Sequence, residues 1–438
     1  MYATGNIDVG LYDTERVFEQ ELKQLNDNQQ ILPENRQAIL DFIKEYCDGL
    51  SYQRKAKFII RLLRFGLKLD KPFWDAKAKD INNLRKHIET APVMMFNRKR
   101  QKWLKYKPTC SADTICDNKL ILKLFYRWVE YFRNTPKRER LSGNDLRTYM
   151  RNNPFPELVR NIVSTFPKPR QYTANDMLTW EEIVKISQNT TCKRDMALIQ
   201  LLGESGGRIG EILTLHLEDV EFKRMDEKTV ALIHLRVSKT KIRSIGVYNC
   251  VPALQAYLKE HPFKTDKSGP LFLKYKTTKH DVESKPIRLG YDACRRIIRR
   301  AGTKAGISKK INPHHFRKSR ASALARLMKE QPLKNYLGWT QDSKMLRVYS
   351  FVNEQETNEG YWASQGVKID ETGKPKINEV TPVKCGNCGQ YNPCGEQLCL
   401  KCFTPLEVER PNLNELRGLI REYVGELVSE KKALPAVA

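Results

Sequence analysis

Acidic residues are in short supply in this chain. Against 77 Lys and Arg stand 51 Asp and Glu, a formal net charge of +26 over 438 residues. An excess of that size favours a polyanionic partner, and nucleic acid is the foremost candidate. A membrane surface is the competing polyanion, but the sequence lacks what membranes call for. It has no apolar run of about 18 residues, and no basic start followed by an apolar stretch of signal-peptide type. A soluble, cytoplasmic protein with no membrane partner is the expectation. No internal repeat and no long low-complexity tract is present, which sets repeat arrays aside. Apolar residues make up 40%, enough for two or three domains with real cores.

Eleven cysteines is an odd number. Six are scattered (Cys47, Cys110, Cys116, Cys192, Cys250, Cys294) and read as small core or surface residues. The other five crowd between Cys385 and Cys402. In a reducing cytosol that points to metal rather than disulfides. "CGNCGQYNPCGEQLCLKC" contains two CxxC pairs, Cys385/Cys388 and Cys399/Cys402, ten residues apart. Two such knuckles fill one tetrahedral zinc site with four thiolates and leave no open position, so the zinc is expected to be structural. Cys394 is the extra cysteine, read as a spectator. A ribbon this short has too little core to fold without its metal.

Helical spacing dominates the first third. Ile39, Phe42, Ile43 and Cys47 share a face that stops at Gly49. Ile59, Leu62, Leu63 and Leu67 follow after a Ser51 cap, and Leu120, Leu124, Trp128 and Phe132 form a later stripe. Between them runs a basic aromatic connector, "NRKRQKWLKYKP", whose Arg98, Lys99, Arg100, Lys102 and Lys105 are candidates to track DNA phosphates; a solvated linker is the bland alternative. "FPKPRQ" is loop-like, and Thr179 with Glu182 is spaced as a capping box, so a boundary falls near 170. Next comes an apolar helix, a Gly-marked break and a second helix. "TVALIHLRVSKTKIRSIGVYN" reads as two strands joined by a tight basic turn. Helical patterns resume from about Tyr291 to Met328, and a polar linker follows Trp362. After the cysteines, Leu413, Leu416, Ile420, Val424 and Leu427 give a closing amphipathic helix.

The chemistry-bearing residues lie in the middle. Arg208 stands in "GGRIGE", with Glu211 three residues on; Lys239 is in "VSKTK"; His314 and Arg317 are in "HHFR"; Trp339 is in "YLGWT"; Tyr349 is in "RVYSF". His314 and Arg317 are three apart at a helix start, so both can point one way. The order and spacing of these boxes resemble the tyrosine recombinase (phage integrase) superfamily. The "NPHHFRKSRAS" and "LGWTQDSKMLRVYSF" segments look most like archaeal members, which are similar also in carrying a C-terminal zinc ribbon. Trp339 stands where most members have His, though some use Trp.

The resemblance implies a fold and an activity. The fold is an all-α N-terminal core-binding domain over 14–168, a mixed α+β, mainly helical catalytic domain over 172–365, a zinc ribbon over 380–407 and a helix over 411–431. The two larger domains would clamp duplex DNA from opposite faces. The activity is site-specific recombination through a 3′-phosphotyrosyl link, serving integration or excision of an archaeal mobile element. Arg208 and Arg317 would fork onto the phosphoryl oxygens, a bidentate grip Lys cannot imitate. The Tyr349 phenol, with an ordinary pKa of about 10, must lose its proton as it attacks, and His314 is the acceptor. Lys239 would protonate the departing 5′-oxygen, with Lys241 and Arg243 as rivals. Trp339 would donate its indole N–H to a phosphoryl oxygen, and Glu211 would orient a neighbouring base. His315 is read as a neighbour, Arg320 as DNA-facing. Neither ATP nor a catalytic metal is expected. Double-stranded DNA and a tetramer of the chain in synapsis are the implied partners. Two other readings are a type IB topoisomerase-like enzyme and a DNA-binding zinc protein without activity.

Overall fold

A computed structural model describes residues 14–97, 102–167, 172–226, 228–238, 241–274, 287–346, 358, 361–362, 365–366 and 380–406. They fall in two compact units, one within 8–171 and one within 172–438. Among the described residues, no helix is long and apolar enough to cross a membrane. Arg98, Lys99, Arg100, Lys239, Tyr349 and the closing helix over 411–431 lie outside the described residues.

The first unit contains α1 (Thr14–Asp27), α2 (Pro33–Glu45), α3 (Tyr52–Gly66), α4 (Ala78–Thr90), β1 (Val93–Asn97), β2 (Lys102–Lys107), α5 (Ala112–Asn134), α6 (Gly143–Asn152) and α7 (Glu157–Arg160). Its core is aromatic: Phe42 meets Phe125 edge-on at 5.4 Å, and Phe73 meets Phe125 at 4.7 Å. Edge-to-face contacts of this kind add to simple burial. Ile39, Phe42, Ile43 and Cys47 are all buried, but Leu67 lies past the end of α3 and is exposed. On α5 Trp128 is buried as expected, but the rest of the buried stripe is Ile121, Leu122, Phe125 and Val129, while Leu120, Leu124 and Phe132 are half-buried.

The expected all-α unit needs correcting. The basic connector folds as an antiparallel ribbon, with Phe96 paired to Trp103 and Asn97 to Lys102. Aromatic and apolar residues on both arms suit strands. Lys102 and Lys105 therefore sit on β2.

The second unit contains α8 (Trp180–Gln188), α9 (Lys193–Ser205), α10 (Ile209–Leu213), β3 (Val220–Met225), β4 (Lys228–Leu235), β5 (Arg243–Val247), α11 (Val251–Lys259), α12 (Tyr291–Lys304), α13 (Pro313–Ala325), α14 (Glu330–Leu337), β6 (Val383–Lys384) and β7 (Tyr391–Asn392). The Thr179–Glu182 capping box closes reciprocally at the start of α8. The second helix after the glycines is only five residues, because the chain turns at Thr214 and enters the sheet. Strands β3, β4 and β5 form a three-stranded antiparallel sheet in that order. Helix α9 is buried along nearly its whole length and forms the spine of the unit. Its Glu204 accepts backbone N–H bonds from Tyr248 (2.8 Å), Asn249 (3.0 Å) and Cys250 (2.7 Å), fixing the approach to α11.

Candidate active site

Helix α14 ends in a left-handed glycine, Gly338 (φ 63°), which closes it by Schellman-type bonds: Gly338 N–H to Asn335 O (3.1 Å) and Trp339 N–H to Lys334 O (2.8 Å). That closure leaves the next carbonyls without helical donors, and arginines take them. Arg243 Nε donates to Tyr336 O at 2.7 Å, Arg317 Nη2 to Leu337 O at 2.7 Å, and Arg208 Nη2 to Gly338 O at 3.2 Å. Three consecutive carbonyls at the negative end of a helix thus hold three guanidiniums, the placement a helix dipole favours. Arg317 is further fixed by Nη1 to Gly206 O at 2.9 Å, so the end of α9 and the end of α14 meet on it.

Glu211 sits at the hub of the cluster, with a fully buried side chain. Its carboxylate accepts Arg208 Nη1 at 2.8 Å, Arg243 Nη1 at 3.2 Å and Nη2 at 3.0 Å, and the Ser238 hydroxyl at 2.7 Å. It also accepts the Arg208 backbone N–H at 2.9 Å, which caps α10. Burial by itself would raise this carboxyl. The bond and charge of Arg243, then the charge of Arg208 and the Ser238 bond, outweigh it and bring the pKa down to about 2. Arg208 and Arg243 share this one carboxylate, while Arg317 is held by backbone carbonyls, so among the described residues three guanidinium charges stand beside one bonded carboxylate. The carbonyls fix their planes without cancelling that charge, and a part-buried cationic cluster of this kind is matched by an anion.

His314 and Arg317 belong to the first turns of α13, which starts at Pro313 behind an Asn312 cap whose side chain accepts His315 N–H at 3.0 Å. His314 is exposed. Its packed surroundings first, then the charges of Lys318, Arg317 and Arg208 with a contribution from His315, hold its pKa below 6.5. A neutral imidazole beside two arginines can accept a proton. His315 points elsewhere: it is buried, and its Nε2 lies 2.6 Å from Asp176 O, anchoring the start of the unit. Trp339 is buried in a small cluster with Ala321, Leu324, Leu333 and Leu337. Arg320 is half-buried, its stem against Gly206 and its charge acting on the Tyr336 phenol, so it is placed inside the unit as much as on its surface. The geometry therefore brings Arg208, Glu211, His314, Arg317 and Trp339 into one neighbourhood. Arg243, weighed in the sequence only as a rival to the turn lysine, belongs to the same cluster. Lys241 reaches Asn335 Oδ1 at 3.2 Å.

Residues 176–356 match the phage integrase family. That segment is a phage integrase family domain. Over 160 residues the chain is 25% identical to the tyrosine recombinase XerD of Bifidobacterium longum (strain NCC 2705), covering 35% of this chain. The chain spans half the length of that curated relative. Among solved structures it is similar to the XerH site-specific recombinase bound to difH substrate, at 16% identity and TM-score 0.46, covering 82% of this chain and 97% of that one. It is also similar to a lambda integrase tetramer bound to a Holliday junction, at 13% identity and TM-score 0.44, covering 77% of each chain.

The cysteine ribbon lies in the same unit as this domain. Cys385, Cys388, Cys399 and Cys402 place their sulfurs within 4.8 Å of one another, and two pairs lie at 3.5 Å. Four sulfurs about 2.3 Å from one ion stand roughly 3.8 Å apart, so the set fits a single tetrahedral metal. Cys394 is outside the set; buried, its thiol donates to Asn249 O at 3.5 Å, against the start of α11. Trp180 Nε1 donates to Val380 O at 2.8 Å, and Gln188 Nε2 to Gly395 O. The spectator cysteine is thus part of the seam between ribbon and α8/α11.

Proposed function

We propose that this protein is a site-specific DNA recombinase that cuts and rejoins strands through a 3′-phosphotyrosyl intermediate. The observation that carries the reading is the cluster of Arg208, Arg317 and Arg243 gathered around the single Glu211 carboxylate and the end of α14, beside His314 in a phage integrase domain. Arg208 and Arg317 neutralise the phosphoryl oxygens as negative charge builds. His314 takes the proton of the Tyr349 phenol as its oxygen attacks phosphorus. The P–O5′ bond breaks, and Lys239 gives the departing oxygen its proton, leaving a free 5′-OH. The bond energy kept in the tyrosyl ester lets a second 5′-OH reverse the step without ATP. Trp339, which follows the Gly338 carbonyl held by Arg208, offers its indole N–H to the phosphate. A metal held by the four thiolates, zinc by the chemistry of the donors, stabilises the ribbon and takes no part in the reaction.

Double-stranded DNA, a tetramer in synapsis and integration or excision of a mobile element, archaeal by the resemblance of its motifs, complete this reading. Arg98, Lys99 and Arg100, with Lys102 and Lys105 of β2, would track the DNA backbone. The test is incubation with DNA carrying two copies of a candidate site. Exchanged product with a four-way junction intermediate is expected. Supercoil relaxation with no exchange would favour the topoisomerase reading, and DNA binding with no covalent product would leave only a binding protein.

A further inference from the structure

We propose that Arg243 is a positioning residue for strand cleavage, locking the connection between β4 and β5 onto α10 and α14. The proposal rests on the recombinase reading. Leu235 at the end of β4 pairs with Arg243 at the start of β5, so 236–242 is one short connection. That connection is held on both sides of Lys239. Before it, the Ser238 hydroxyl donates to Glu211 at 2.7 Å. After it, Lys241 Nζ reaches Asn335 at 3.2 Å, and the Lys241 carbonyl accepts Arg243 Nη1 at 3.3 Å.

The Arg243 guanidinium is where these ties converge. One edge forks onto Glu211, which also holds Arg208; its Nε donates to Tyr336 O at 2.7 Å, one residue before the carbonyl that holds Arg317. Its side chain is 6% exposed, so it is placed to hold protein groups rather than to reach DNA. Gly338 is shaped around it: a Cβ there would lie 2.4 Å from Nη1. Lys has one ammonium and no planar fork, so it cannot serve Glu211 and Tyr336 together. The role that follows is to fix the register of the turn relative to the two phosphate-binding arginines. The step most sensitive to that register is protonation of the departing 5′-oxygen, since misplacing a proton donor by an ångström is costly.

A leaving group that needs no proton separates this role from general structural support. In a 5′-bridging phosphorothiolate substrate, the P–S bond breaks to give a thiolate, stable near its ordinary pKa of about 8.5. The variants are Arg243→Ala and Arg243→Lys, with single-turnover covalent-adduct formation on nicked suicide DNA as the readout and DNA affinity as control. Both variants should cleave ordinary DNA roughly 100-fold or more slowly, the usual worth of general acid–base catalysis. On the sulfur substrate both should come within about tenfold of wild type. Ser238→Ala, a milder loss of one hydroxyl bond, should give a smaller defect with the same sulfur rescue, and it decides the matter if the Arg243 variants fail to fold. Equal losses on both substrates, or ordinary DNA cleaved at the wild-type rate, would overturn this role alone. No adduct from wild type on either substrate would take down the recombinase reading and this role together.

Discussion

Replacing Glu211 by glutamine removes one charge and almost no volume. Gln also keeps the capping bond at the start of α10, so the change isolates the carboxylate's ion pairs with Arg208 and Arg243. The carboxyl falls from 4.5 to about 2 in the folded chain. A depressed carboxylate stabilises the fold above the unfolded pKa and loses that contribution as pH falls through the folded one. Two to three pKa units amount to about 3 kcal/mol at neutral pH, in line with breaking a buried pair. For a unit of this size that is a fall in melting temperature of roughly 6–12 °C. The gap between wild type and Glu211→Gln should be constant from pH 8 to about 5.5, then shrink. By pH 3.5 linkage removes about 1 kcal/mol of it. Paired thermal melts across that range are the assay. A variant that melts with wild type at pH 7, or a gap that does not narrow below pH 4.5, would refute the argument that this carboxylate holds the cluster.

Four further outcomes are expected. Gly338→Ala puts a Cβ at a left-handed position and 2.4 Å from Arg243 Nη1; it should destabilise by about 1–3 kcal/mol and lower adduct yield, checked by melts and suicide-substrate gels. Packing, then the charges of Lys318 and Arg317, holds His314 below the ordinary imidazole range; the acid limb of the cleavage-rate profile should lie below that of a free imidazole, and His314→Ala should lose about 100-fold together with that limb. Metal analysis should find about one zinc per chain, and Cys399→Ser should abolish it. Gly395→Ala places a Cβ 2.5 Å from Gln188 Nε2 and 2.7 Å from Val184; it should lower the melting temperature while the protein keeps its zinc, because the seam with α8 opens and the four thiolates do not.

The sequence spoke plainly wherever a local pattern carried the information. The Thr179 capping box, the alternation on both sides of the basic turn and the paired CxxC knuckles each need only a few neighbouring residues, and each appears in the structure as read. Strand β3 escaped because four of its six residues are exposed and only Val220 and Phe222 are half-buried, an alternation too short to mark a strand. The β1–β2 ribbon was hidden by its charge, since a run of Arg and Lys reads as linker whether or not strands flank it. The arginine receptors were out of reach for a deeper reason. They are backbone carbonyls of residues 336–338, and no side-chain identity announces them. Gly338 was the available signal: a glycine just before Trp339 marks a helix end, and a helix end exposes carbonyls. Arg243 could have been singled out on the same ground, as a cation opening a strand five residues after a site Ser. The seam between ribbon and catalytic unit, through Cys394 and Gly395, joins positions about 150 to 200 residues apart and has no local trace.

The central claim is that Tyr349 attacks the phosphate which Arg208 and Arg317 neutralise. It is tested most directly by digesting the covalent complex formed on nicked suicide DNA and sequencing the peptide that carries the nucleotide. A 3′-phosphate ester on Tyr349, absent from Tyr349→Phe protein that still binds the DNA, is the expected result. An adduct on Tyr336, Tyr361 or any other residue, or one that persists in Tyr349→Phe, would contradict it.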